Sequence, residues 1–158
     1  MDAQTNEPVK DREITITRVF DAPARIVFLA HSKPEHVIKW FGPRGWPLTK
    51  CEMDFRVGGE FHFQMTSTEG EVGPPFGGTY REIVPNEKIV YDNGFEAPGS
   101  GRMLFTVTFD EADGRTTLSI NIVFDTVAMK EEYVGLGIVE GTNSGLDILE
   151  EVVAALRG

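Results

Sequence analysis

At 158 residues the chain suits one domain, long enough to bury a core without metals or disulfides to staple it. Its 25 acidic against 15 basic residues leave a formal net charge of −10 with no Lys/Arg run, which disfavours duplex nucleic acid and anionic membranes as partners. No apolar run approaches the roughly 20 residues that span a bilayer, so membrane insertion is not expected.

Residues 1–11, MDAQTNEPVKD, lack periodicity and read as a loose tail, leaving 12–158 as a single domain. They also lack the apolar segment of a signal peptide, and Cys51 is the only cysteine, so a cytoplasmic, reducing location is expected. EITITRVF, from Glu13, places Ile14 and Ile16 on one face of a strand. In DAPARIVFLAH, Asp21 can cap a helix, Pro23 suits its first turn, and Ile26, Leu29 and Ala30 share a stripe. SKPEHVIKWFGP follows as a second short helix, with Ser32 and Glu35 at capping-box spacing and a stop at Gly42-Pro43.

Strands are predicted near 48–55, 59–66, 77–84, 87–95, 102–110 and 115–124, punctuated by turn residues at Gly58-Gly59, Pro85-Asn86 and Asp113-Gly114. Leu118, Ile120, Ile122 and Phe124 alternate with polar neighbours, as in a sheet wet on one side. The carboxyl end changes period: Val139, Thr142, Leu146, Leu149, Val153 and Leu156 share one helical face. That helix can begin near Met129 or only at Ser144, and the longer version is preferred. Gly137, Gly141 and Gly145 each cost it roughly 1 kcal/mol against alanine, but at spacing four they form a stripe that admits a close neighbour or leaves room. One strand, two short helices, six strands and a final helix make an α+β protein whose antiparallel sheet must bury one face, with the final helix available to cover it.

Catalytic signatures are weak. GLGIVEG has Glu140 where a dinucleotide fingerprint requires glycine, and no nucleophile elbow or P-loop occurs. His31, His36 and His62 have no partners at zinc spacing and read as surface or capping groups, so no metal and no cofactor is expected. Cys51 reads as a small, partly buried hydrophobe. Asp54 and Arg56 read as structural beside a glycine turn, with Arg56 pairing either Asp54 or Glu60 across it.

FDAPARIVF, SKPEHVIKWFGP, DFRVGGEF and GTYREIVPNEKIVY, in that order and spacing, resemble the START-like helix-grip superfamily. The closest branch is the set of domains similar to the activator of heat-shock protein 90 ATPase, and the resemblance covers residues 13 to 157. It implies a seven-stranded curved antiparallel sheet wrapped around a long C-terminal helix, with a cavity between them. Members of the wider superfamily hold lipids, sterols or polyketides there, some are enzymes, and related domains can pair, which leaves a homodimer open. Members often carry a Gly-Trp pair near the start of the last helix, where this chain has Gly141-Thr142. Either the cavity is larger and more polar at that point, or another side chain fills it.

On that frame Trp40, Phe61, Phe63, Met65, Tyr80, Tyr91, Phe95, Met103 and Phe105 are expected on the concave side or its rim, opposite Gly141 and Gly145. Asn93 and Glu140 are expected to add polar groups to the same space. The leading expectation is binding of a small, largely apolar molecule. A second is an enzyme using Glu140 or a tyrosine as proton handler. A third, resting on the family resemblance alone, is a co-chaperone with a chaperone partner.

Overall fold

The computed structural model describes residues 7–158, so the first part of the expected 1–11 tail lies outside the described residues. Val9–Asp11 form one 3-10 turn, and Arg12 anchors the chain by donating from Nη1 to the Phe124 carbonyl at 2.8 Å.

Seven strands follow the predicted order: β1 (Glu13–Phe20), β2 (Leu48–Met53), β3 (Glu60–Met65), β4 (Phe76–Val84), β5 (Lys88–Phe95), β6 (Met103–Ala112) and β7 (Arg115–Phe124). They pair antiparallel in the order β1-β7-β6-β5-β4-β3-β2, so the two chain-end strands of the series meet through β7 and the hairpins fill the rest. Residue alternation decides which face is buried: Met103, Phe105, Val107 and Phe109 of β6 point inward, as do Leu118, Ile120, Ile122 and Phe124 of β7. Register shifts at Leu48/Lys50 and at Tyr80/Glu82 bend the sheet into a concave wall. The tight β6–β7 reversal uses Asp113 and Gly114, both at positive φ (55° and 75°), the geometry that matches strand twist.

Between β1 and β2 lie α1 (Ala24–Ser32) and α2 (Pro34–Trp40). Their caps differ from the sequence reading. Asp21 does not cap α1; Glu111 of β6 reaches across and accepts from the Ala24 N–H at 2.8 Å. Ser32 does not open a capping box either, because its hydroxyl donates back to the Leu29 carbonyl at 3.0 Å and so closes α1. Both side chains found carbonyl or charged partners that local spacing does not reveal.

The C-terminal helix is neither of the two versions weighed from sequence. It is a pair, α3 (Val127–Gly135) and α4 (Ile138–Arg157), broken at Leu136-Gly137. Thr126 caps α3 by accepting from the Met129 N–H at 3.0 Å. Gly137, at φ +94°, then takes a left-handed conformation that ends the first helix and redirects the chain into the second. Ser144 lies inside α4, where its hydroxyl accepts from the Arg44 N–H at 2.9 Å and ties the post-α2 loop to the helix.

α4 buries Gly145, Leu146, Leu149, Val152 and Val153. Arg18 of β1 fixes the helix from outside, contacting Asp147 at 2.7 Å, Glu150 at 3.0 Å and the Asn143 side chain at 3.2 Å. The result is a helix-grip α+β fold, with the second half of α4 packed tightly and the first half facing the open part of the sheet.

Candidate functional site

The concave face is divided into two compartments. Toward β3 and β4, Phe61, Phe63 and Tyr80 are almost fully buried and lock into one aromatic cluster. Ring centroids lie 4.9 Å apart for Phe61–Phe63, 5.3 Å for Phe61–Tyr80 and 5.0 Å for Tyr80–Phe55. Only about 40 Å³ stays open among them, with Val37 and Met53 closing the surround.

Toward β5, β6 and the start of α4 lies a much larger space of about 460 Å³. Tyr91, Asn93 and Phe95 of β5, with Met103 and Phe105 of β6, form its sheet wall. Gly141, Thr142 and Gly145 of α4 form the wall opposite, and Trp40, Phe41 and Pro43 close one end. Met65 and Phe76 reach in from β3 and β4, while Tyr133, Leu136 and Ile138 of the α3–α4 elbow stand at the mouth. Phe95 is 38% exposed and Leu136 is 76% exposed, which marks the rim.

Three of the thirteen expected residues, Phe61, Phe63 and Tyr80, therefore belong to the packed compartment, because α2 and β2 supply side chains that fill the space in front of them. Glu140 belongs to neither. It sits in the first turn of α4 on the exposed side, roughly opposite Thr142 around the helix, where a carboxylate complements the helix dipole. The proton-handler assignment to Glu140 is dropped on that ground.

The glycine stripe splits into three jobs. Gly137 makes the break. A Cβ on Gly145 would lie 3.1 Å from the Trp40 carbonyl oxygen, so that glycine lets α4 cross close to the end of α2. A Cβ on Gly141 would meet only Pro43, at 3.9 Å, so this glycine leaves room. Thr142 stands on the cavity wall, at the position where the family resemblance implies a large ring.

The polar groups in the cavity are few. Asp92 points outward, and although burial alone would raise its pKa, hydrogen bonds from Arg102 and Arg81 overcome that and lower it. Alternation then turns Tyr91 and Asn93 inward. Asn93 is 5% exposed and its Oδ1 has no hydrogen-bond partner among the described residues. Trp40 is satisfied, its Nε1 donating to the Ala30 carbonyl at 2.9 Å. Burial raises the pKa of both Tyr80 and Tyr91, moving the phenols further from neutral and away from use as acid–base groups.

Sequence reasoning missed His31. It lies in the last turn of α1, against Trp40 (4.8 Å between centroids) and Phe109 (5.1 Å), and it borders both compartments. Its Nδ1–H donates to the Val27 carbonyl at 2.8 Å. Desolvation lowers its pKa to about 4, against the smaller opposing effect of that hydrogen bond. The ring is surrounded by protein, and the surface it retains faces the cavity. A signal was present: fully buried Val27 lies four residues earlier, on the same helical face. His36 is half-buried, whereas His62 is on the surface, its two ring nitrogens 2.9 Å from Glu96 and 3.3 Å from Glu60.

A protein-family model described as Activator of Hsp90 ATPase homolog 1-like protein matches residues 21–154. No curated protein matches the chain. Among solved structures, a Chromobacterium violaceum protein is 30% identical, with 90% of this chain and 97% of that one covered and a TM-score of 0.74. A protein from Arthrobacter aurescens is 22% identical, with 98% and 93% covered and a TM-score of 0.85. One from Nitrosomonas europaea is 21% identical, with 92% and 96% covered and a TM-score of 0.82. The last two likenesses speak for the fold alone.

Proposed function

The chain belongs to the Activator of Hsp90 ATPase homolog 1-like family, and on that premise we propose that it binds a small, largely apolar molecule between the concave sheet and the first half of α4. The observation that carries this reading is a space of about 460 Å³, walled by Met103, Phe105, Trp40 and Leu146, that no side chain among the described residues fills. That volume falls within the roughly 300–1,000 Å³ usual for small-molecule sites, and the wall is apolar with a few polar groups, as such sites require. Gly141 supports it further, since it lines this space and a Cβ there would meet only Pro43, at 3.9 Å. The half-exposed Phe95 and exposed Leu136 supply an apolar rim through which such a molecule enters. We place the binding in the cytoplasm, and the free thiol of Cys51 fits a reducing compartment.

The test is native mass spectrometry of gently purified protein, solvent extraction of whatever it carries, and titration of the stripped protein with Nile red. We expect a recovered apolar compound or stoichiometric dye binding, and at least tenfold weaker dye binding by Gly141→Leu, whose side chain would occupy the space. No recovered compound together with no dye binding would set the reading aside.

A further inference from the structure

The cavity's hydrogen-bonding groups are asymmetric in a way that restricts its ligand beyond being apolar. His31 commits its Nδ1 hydrogen to the Val27 carbonyl, which fixes the neutral tautomer and leaves Nε2 as a bare acceptor. That nitrogen has no partner among the described residues. Asn93, 95% buried and lining the same space, adds an amide whose Oδ1 is also unpartnered. Buried polar groups are normally paired; Asn93 Oδ1 is not, and together with the open Nε2 of His31, which borders the same space, it points to a polar group that arrives from outside. The charge balance excludes one common answer. Among the described residues that line the space, the one acid is Glu132, and no arginine or lysine stands there to receive a carboxylate.

We propose that the cavity selects a neutral apolar molecule bearing a hydroxyl group, whose O–H donates to Nε2 of His31 while the Asn93 amide provides a second polar contact, and that it discriminates against carboxylic acids of the same shape. This rests on the ligand-binding reading above and deepens it. Desolvation keeps the imidazole neutral at physiological pH, so the acceptor is present under working conditions. A site built to pair a hydroxyl rejects the analogue lacking it, because the acceptor, once covered by the ligand, is left unsatisfied.

The experiment compares 2-naphthol, 2-methoxynaphthalene and 2-naphthoate by calorimetry at pH 7 on the stripped protein. We expect 2-naphthol to bind at least tenfold more tightly than either analogue. In His31→Phe, which keeps an aromatic ring against Trp40 and Phe109, the preference over 2-methoxynaphthalene should fall to about twofold or less while the methoxy compound still binds. Nitrogen NMR of the wild-type imidazole provides a readout that does not depend on the variant folding: the Nε2 resonance should move on adding 2-naphthol and stay put with 2-methoxynaphthalene. Equal affinity for the hydroxyl and methoxy probes, or tighter binding of the carboxylate, would overturn the hydroxyl preference and leave the cavity reading standing. Failure of all three naphthalenes together with Nile red would remove both.

Discussion

Phe61, Phe63 and Tyr80 at one end of the concave face enclose about 40 Å³, whereas Tyr91, Met103 and Phe105 at the other end face about 460 Å³. Both sets come from alternating strands of the same sheet, and both point to the same side. What separates them is the element in front. At the first end, α2 and the end of β2 bring Val37, Met53 and Phe55, and Phe55 meets Tyr80 edge-on at 5.0 Å. At the second, α4 brings Gly141, Thr142 and Gly145, which do not reach across. A hollow in this fold is a property of the covering helix more than of the sheet.

The largest effect that could break this contrast is in the packed compartment. Phe61→Ala should destabilise the protein by about 3–5 kcal/mol, the usual cost of removing a buried phenylalanine from a site that cannot collapse. Met65→Ala, on the cavity wall and only half-buried, should cost clearly less. Urea denaturation of both variants decides the matter. Equal losses would mean that the open compartment is as tightly packed as the closed one.

The second effect is at His31, where the compartments meet. Below pH 6.5 the unfolded chain takes up a proton on this ring, while the native ring stays neutral until about pH 4. Stability conferred by neutral His31 is therefore fully present above pH 6.5 and declines as pH falls to about 4, by up to about 3 kcal/mol. No charged side chain enters this shift, which comes from desolvation opposed by the Val27 hydrogen bond. Comparing wild type with His31→Gln across that window cancels the titration of His62, whose pKa is raised by its bond to Glu96, and of Asp92. The variant should lose stability less steeply with acid; identical slopes would mean that the ring is open to bulk water.

How far the sequence carries this picture can be followed residue by residue. Strand positions, the Asp113-Gly114 reversal and the order of elements are local properties, written in alternation and turn chemistry, and the antiparallel sheet was legible from them, while the helix-grip arrangement was implied by the family resemblance. The caps were not, because Ala24 is capped by Glu111, 87 residues away, and no local pattern encodes that contact. The break at Gly137 escaped because a glycine in a helical pattern reads alike whether it continues the helix or turns it, and only its φ of +94° decides. Glu140 was a separate error: two residues before Thr142, it lies about 200° round the helix from it, so the period alone already turned it away from the cavity face. Phe63 and Met65 share a face of β3, yet Phe63 packs against Phe41 at 5.2 Å while Met65 reaches the cavity. Their separation depends on where α2 and its following loop come to rest, which is a tertiary fact.

The smallest effect tests the covering helix itself. Gly141 and Gly145 are one turn apart in α4, and intrinsic propensity alone would reward alanine at either by about 1 kcal/mol. Their surroundings should divide them. At Gly141 the new methyl would meet Pro43 at 3.9 Å, an ordinary contact, so Gly141→Ala should stabilise by about 0.5–1 kcal/mol. At Gly145 it would press on the Trp40 carbonyl at 3.1 Å, a backbone atom held by the end of α2, and the gain should be cancelled or reversed. Thermal melting of the two variants gives the comparison directly. If both alanines stabilise equally, α4 is not held against α2 at Gly145, and the standoff that keeps the cavity open at Gly141 would need another cause.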